Sequence, residues 1–378
     1  MRLLIISHTP HVLVHDRCYG WGPTVRELNF LTRYFQIVHL APQQSDATIP
    51  PSYAEVDPGI MLVPTINRGG QGVKAKFRVL LDSLQYLRII LREIPHADIV
   101  HVRCPANISL VALLALIFFT RKKKWIKYAG DWKPIVDHGS YKLQRFLIRH
   151  FLSNQVVSIN GSYTGEKSHI HHLLNPSYFR HELASTTVQK SLSDSVVLLF
   201  VGGLTSNKGA DIVLNALHRL RNYRSSIRLH IVGEGPERQN LETLSSSLRL
   251  NSQVYFEGWK TKDELKLFYE AAHFIVLPST GEGWPKVISE AMSFGVVPIV
   301  SNVSGVRLTL ERIGAGFVVQ SFAPGQYAEA IRLYLDDPVR WGNQSQAARS
   351  SAELFTFEHW SEDLFQLFNL KWRLNLNS

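Results

Sequence analysis

Ser279-Thr-Gly-Glu282-Gly-Trp284-Pro-Lys-Val-Ile-Ser-Glu290-Ala-Met-Ser-Phe-Gly295 lies between two apolar runs, residues 274–277 and 296–300. The pattern predicts strand, loop, helix, strand. Pro285 suits the first helical position, because a first turn leaves its amides unpaired and proline has none to lose. The amides of Gly283, Trp284, Lys286 and Val287 would then surround whatever occupies the loop, and such a helix terminus attracts anions. Glu282 lies just before them and Glu290 follows eight residues later, roughly 8 Å up the helix at about 1.5 Å per residue. A diphosphate on the helix terminus, a sugar beside Glu282 and a ribose diol on Glu290 match the dimensions of a nucleotide sugar. The plainer alternative is a buried βαβ unit whose glutamates cap and solubilise a helix. Against it stands the placing of both acids around a Gly-Trp-Pro turn at the carboxyl end of an apolar strand, where open α/β sheets bind ligands.

Working outward, the 378 residues exceed what one core usually serves, so two domains are expected, and 45% apolar residues suffice for both cores. In the amino half, strands are predicted over 3–7, 37–40, 60–63, 98–103, 125–129 and 156–159, with helical periodicity over 73–92 and 141–152. A second βα series starts afresh at 196–201 and continues with strands at 228–232, 254–256, 274–277, 296–300 and 317–319. This alternation predicts an α/β protein with two tandem Rossmann-like domains, their parallel sheets facing across a cleft. The polar stretch 185–195 reads as the linker, which places the domains at 1–188 and 189–355. Residues 356–378 form a terminal helix with Trp360, Leu364, Leu367 and Phe368 on one face.

Charge is uneven along the chain. Residues 1–190 hold 23 Lys and Arg against 12 Asp and Glu, and the remainder holds 18 against 19. A ligand shared by both domains does not account for a basic amino half, whereas an anionic membrane facing that half does. Nucleic-acid binding is not expected, since no recognisable module and no aromatic–basic interleaving occurs. The apolar segment 108–119 is well short of the roughly 20 residues that span a bilayer and reads as a core helix. The run Arg121 to Lys124 after it reads as a solvated turn, or as a contact with anionic lipid. Cys18 and Cys104 are too few for a disulfide framework and favour a reducing compartment. The apolar run after Met1 is too short for a signal peptide and reads as a first strand. A cytoplasmic protein, peripheral at the inner face of the cell membrane, is the expectation.

Several loops carry further candidates. Gly202, Gly203 and Lys208 follow the first strand of the second domain, where glycines admit a ligand close to the backbone and a lysine meets a phosphate; an ordinary βα turn is the alternative. Gly233-Glu-Gly235-Pro invites a dinucleotide reading, which fails because Arg238 occupies the third glycine position and the loop does not follow the first strand of its domain. Residues 19–24, with Gly20 and Gly22, read as a loop entering a helix near Pro23. Asp131 ends an apolar strand, either at a ligand or capping the next turn. His169, His171 and His172 lack metal-ligand spacing, and no Asp-x-Asp motif occurs, so neither a bound metal nor an obligatory metal on the donor is expected.

The stretch around Glu282 and Glu290 resembles the GT-B glycosyltransferases of the retaining family 4, whose Glu-x7-Glu signature is continued here by Ala291, Met292 and Gly295. The likeness covers most of residues 196–320 and, more weakly, the amino half. It implies an enzyme, a hexosyltransferase, that takes a sugar from a UDP- or GDP-sugar to a hydroxyl acceptor with retained anomeric configuration and needs no further cofactor. By the same resemblance Glu282 is catalytic, with Asp131 in the amino domain where many relatives carry a histidine. Gly202, Gly203, Lys208, Gly283, Trp284, Lys286 and Val287 bind the donor diphosphate, Glu290 binds its ribose, and Trp259 and Lys260, with Thr261, border the base through backbone groups. Gly20 and Gly22 face the acceptor, imperfectly matching a Gly-Gly pair, and the terminal helix crosses back to pack on the first domain. The family loop usually carries arginine where this chain has Gly203, which removes one diphosphate contact that Lys286 or Arg307 would replace. With the basic amino half, the implied acceptor is a saccharide, most simply a lipid-linked one of a bacterial surface polysaccharide. Two rivals keep the fold: a nucleotide-sugar epimerase, and an inactive nucleotide-sugar-binding partner.

Overall fold

The computed structural model describes the chain except residues 46–47, 67–72, 135–138, 162, 184–189, 193–194, 224–225, 304 and 377–378, and of 45 and 73–81 it describes the backbone only. Most of the expected linker, including the boundary at 188 and 189, therefore lies outside the described residues. The chain forms two compact units. One comprises residues 1–160, 164–173 and 361–378, and the other 161–163 and 174–360.

The first unit is built on β1 (Arg2–Ile6), β2 (His11–Val14), β3 (Arg17–Trp21), β4 (Gln36–Ser45), β5 (Tyr53–Glu55), β6 (Met61–Thr65), β7 (Ile99–Cys104), β8 (Lys123–Tyr128), β9 (Val156–Ile159) and β10 (Ile170–His172). They form one sheet in the order β10-β9-β8-β7-β1-β4-β2-β3-β5, with β6 also on β4. Pairing is parallel except at β2–β3 and β3–β5. That antiparallel edge departs from the expected all-parallel sheet. Residues 19–24 are accordingly not a loop: Gly20 sits inside β3, and Gly22 opens the helix Gly22–Leu31 with Pro23 in its first turn. Both glycines serve close packing, since a Cβ at Gly20 would lie 2.9 Å from the His11 ring and one at Gly22 2.9 Å from the Ser52 carbonyl oxygen.

Register places His39, Ile5, His101 and Trp125 in one row across this sheet, hence on one face. Arg103 and Lys127, two residues further along β7 and β8, share that face. Glu27 of the Gly22–Leu31 helix meets both, at 2.7 Å from the Arg103 guanidinium and 2.7 Å from Lys127 Nζ. Burial alone would raise the Glu27 carboxyl; the Arg103 and Lys127 charges instead hold it well below the usual range. Burial pushes Lys127 down to about 8, against the pull of Glu27. The end of the last helix, Phe357–Trp372, lies in this unit from Ser361 onward, with the Phe365 ring 4.7 Å from Tyr34 and the Phe368 ring 5.5 Å from Trp125.

The second unit holds β11 (Val196–Val201), β12 (Ile227–Val232), β13 (Val254–Gly258), β14 (Phe274–Leu277), β15 (Val297–Ser301) and β16 (Phe317–Val319). All are parallel, in the order β13-β12-β11-β14-β15-β16. The central strands are buried along their whole length, as a parallel sheet covered on both faces requires. Strand order reverses between β11 and β14, which makes their carboxyl ends the switch point where such sheets bind ligands. Among the described residues no helix is long and apolar enough to cross a membrane.

Burial lowers His11 to about 4 and His101 to about 3. An unfolded histidine takes its proton near pH 6.5, so the unfolded chain binds more protons between about pH 6.5 and 4, and stability falls as pH falls through that window. Urea midpoints measured at pH 7 and 4.5 should show this loss. Glu27→Ala strands buried Lys127 and partly buried Arg103 and should cost about 3–5 kcal/mol in urea unfolding at pH 7.

Candidate functional site

At the switch point two loops stand side by side. The loop after β11 runs from Gly202 to Gly209, and the loop after β14 from Pro278 to Pro285. The Thr280 amide donates to the Asn207 carbonyl at 2.9 Å, and the Ser301 hydroxyl at the end of β15 donates to the Ser279 carbonyl. Gly209 lies in the left-handed region with φ +74°, and a Cβ there would sit 2.7 Å from the Pro278 carbonyl oxygen, so this approach needs glycine. The short turn Ser206–Lys208 then brings Lys208 Nζ onto Glu282 Oε1 as an ion pair.

Gly233 and Gly235 support the first loop from behind. The Leu204 amide donates to the Glu234 carbonyl at 2.9 Å and the Glu237 amide to the Leu204 carbonyl at 3.0 Å. A Cβ at Gly233 would lie 1.9 Å from the Gly202 carbonyl oxygen, and one at Gly235 2.3 Å from that of Leu204. This turn is a backbone buttress. Gly203 differs: the nearest atom to a Cβ there is 3.9 Å away, so packing does not demand glycine where the resemblance implies arginine.

The helix after the second loop spans Lys286–Ser293. Pro285 is its N-cap rather than its first residue, with φ −68° and ψ 111°, and it makes no side-chain cap hydrogen bond. Trp284 turns inward, its indole N–H donating to Ser289 Oγ at 3.3 Å and its ring stacked 5.3 Å from Phe355. That anchors the turn and leaves the backbone, not the indole, for a ligand. Lys286 Nζ lies 5.9 Å over the Phe357 ring, and Arg307 pairs with Glu311 at 3.2 Å. These are the positions of the two expected replacements for the missing arginine, each within reach of a second partner. Val287 and Gly283 flank the cap, half-buried.

Glu290 Oε2 accepts a hydrogen bond from the Tyr269 hydroxyl at 3.0 Å. Burial and the Glu290 charge push that phenol well above its usual range, so it remains a donor. Sequence reasoning missed Tyr269, because at helical spacing within Lys262–Ala271 it reads as a core residue. Glu290 faces a pocket with Tyr178, Lys262, Lys266 and Phe294, whereas Glu282 faces a small one with Ser279, Pro285, Ile288 and Ser301. Both pockets are small, and neither encloses a whole ligand. Trp259 is exposed beside half-buried Lys260 after β13. Thr261 caps the helix Lys262–Ala271 in a reciprocal pair with Glu264. In the first unit, Asp131 Oδ1 accepts the Lys133 amide at 3.0 Å, the turn-capping role.

This fold is that of a two-unit α/β chain of the GT-B kind, with the loops carrying Lys208 and Glu282 meeting at the second sheet's switch point. Its solved likenesses include sucrose-phosphate synthase from Thermosynechococcus elongatus, with TM-score 0.70 at 16% identity over 98% of each chain. HepE from Anabaena in complex with UDP has TM-score 0.70 at 16% identity, over 98% of this chain and 100% of that one. Residues 186–353 match the model of the family described as Glycosyl transferases group 1. Among curated relatives, an uncharacterized glycosyltransferase from Haemophilus influenzae is 31% identical over 166 residues, 44% of this chain and 46% of the relative. The chain spans about half the length of the curated relatives it matches.

Gly233→Ala should unseat the 202–204 loop and cost about 2–4 kcal/mol in urea unfolding, whereas Gly203→Ala should change stability by less than about 1 kcal/mol. Equal costs at the two positions would contradict the buttress.

Proposed function

We propose that this chain transfers a sugar from a nucleotide-diphosphate sugar, UDP- or GDP-linked, to a hydroxyl acceptor with retention of anomeric configuration. The observation that carries this reading is the meeting of Lys208 and Glu282 at the switch point, with Glu290 eight residues along the adjoining helix. The chemical demand is to stabilise a departing diphosphate and an oxocarbenium-like sugar while the acceptor approaches on the same face. The amides after Pro285 and the Lys208 ammonium supply positive charge for the leaving diphosphate. Glu282 is freed from Lys208 as the phosphate takes the cation, and it then accepts sugar hydroxyls. Tyr269 fixes one oxygen of Glu290 and leaves the other for a ribose hydroxyl. The leaving phosphate oxygen takes the acceptor proton as the new glycosidic bond forms and the old one breaks, so no separate protein base is required.

On this reading the acceptor is a saccharide, lipid-linked in the assembly of a bacterial surface polysaccharide, and the basic amino half supports a peripheral position on anionic membrane. Asp131 would act from the acceptor side. Gly203 favours one second reading, a nucleotide-sugar-binding relative that transfers nothing.

Titration calorimetry of Glu290→Ala with the preferred nucleotide should show at least about a tenfold loss of affinity, and unchanged affinity contradicts the layout. Gly203→Arg, where a Cβ meets no atom nearer than 3.9 Å, should tighten binding about tenfold through a charge-assisted contact to the diphosphate. Product analysis with donor and acceptor separates transfer from mere binding, and product analysis without acceptor exposes epimerisation.

A further inference from the structure

Three helices of the first unit, Val73–Glu93, Asn107–Phe118 and Gly139–Phe151, pack side by side. A surface helix normally turns a polar stripe outward, and the middle one does not. Its sequence, Asn-Ile-Ser-Leu-Val-Ala-Leu-Leu-Ala-Leu-Ile-Phe, is apolar all round. Ile108, Ala112, Leu113, Ala115 and Leu116 are buried, but Leu114 is exposed and Phe118 is 71% exposed. The chain then leaves through Phe119, 65% exposed, into Arg121, Lys122 and Lys123. The expected core helix is thus only half a core helix.

Its neighbour Gly139–Phe151 is amphipathic but also presents phenylalanines outward. Leu147 and Ile148 face inward, while Phe146 is 50% and Phe151 55% exposed, their rings 6.2 Å apart. Lys142, Leu143 and His150 share the exposed side. No Asp or Glu occurs from residue 99 to 130 or from 139 to 165. Protruding phenylalanines next to cations, in acid-free sequence, call for an occupant that is apolar and anionic in one surface. A protein partner would have to supply an apolar groove and an acidic rim separately; an anionic bilayer supplies both at headgroup depth.

We infer that this face docks on an anionic lipid membrane, with Phe118, Phe119, Phe146 and Phe151 entering the headgroup region and Arg121, Lys122, Lys123 and Lys142 on lipid phosphates. The inference gives a surface to the membrane position in the function proposed above, on which it rests for its biological purpose but not for its test. The full chain is sedimented with vesicles of phosphatidylcholine alone or mixed with phosphatidylglycerol. Binding should need the anionic lipid, weaken with salt, and fall about tenfold or more in Phe118→Ser/Phe119→Ser and in Arg121→Glu/Lys142→Glu. The second variant keeps the aromatic face and guards against a folding defect in the first, and thermal unfolding of both should match the parent. Equal binding to both vesicle types, or binding that neither variant reduces, overturns the inference. So does concentration-dependent self-association that the phenylalanine variant abolishes, because a second copy of the chain would then cover the face. Calorimetry with nucleotide on the same preparations reports separately: vesicle binding without nucleotide binding leaves the docking face standing and removes the donor site.

Discussion

Backbone lies on backbone at the carboxyl edge of the second sheet. Gly233 and Gly235 touch the carbonyls of Gly202 and Leu204, and Gly209 touches that of Pro278. No residue with a Cβ fits these three places without displacing a loop, and two of the three glycines also hold positive φ. From this constraint the site follows. The buttressed 202–204 loop fixes where the turn at Lys208 falls, the contact at Gly209 brings that turn against the loop after β14, and Lys208 thereby reaches Glu282. Residues 74 positions apart meet because carbonyl groups set the spacing of two loops.

The two sheets share the reversal of strand order at their centre but fill their faces differently. The second unit stacks apolar strands against the apolar faces of amphipathic helices, and among its described residues the buried polar side chains are serines and threonines. The first carries Glu27, Lys127, His39 and His101 inside, with Arg103 partly buried beside them. In that cluster Glu27 pairs with both Arg103 and Lys127. Together with the acid-free helices outside, this accounts for where the chain's excess of basic residues resides: part is core and part is surface, and only the surface part is available to a membrane.

Continuous apolar runs are read well from sequence. The strands at Val196–Val201, Phe274–Leu277, Phe317–Val319 and Val156–Ile159 have the bounds that their composition implies, because each is a wholly or mostly apolar run suited to a covered parallel strand. The strands His11–Val14, Arg17–Trp21, Tyr53–Glu55 and Ile170–His172 escape that reading. They are short and mixed in polarity, and pairing across the sheet decides them rather than intrinsic preference. Glu282, Glu290 and Lys208 stand out by spacing and resemblance, yet their partners do not. Tyr269 looks like any core aromatic, and the engagement of Lys286 with Phe357 joins residues 71 positions apart by packing that no local pattern announces. The turn-capping role of Asp131 is the exception, since an aspartate two residues before its amide partner is a local signal.

The central claim is that the switch point of the second unit binds a nucleotide diphosphate. Thermal unfolding in the presence of UDP, GDP, ADP and their sugars, with and without magnesium, tests it most directly, because a ligand that binds the native state raises the unfolding temperature. The account predicts a selective shift by one nucleotide and its sugar, retained without magnesium. No shift with any of them, matched by no heat of binding in calorimetry, would contradict it.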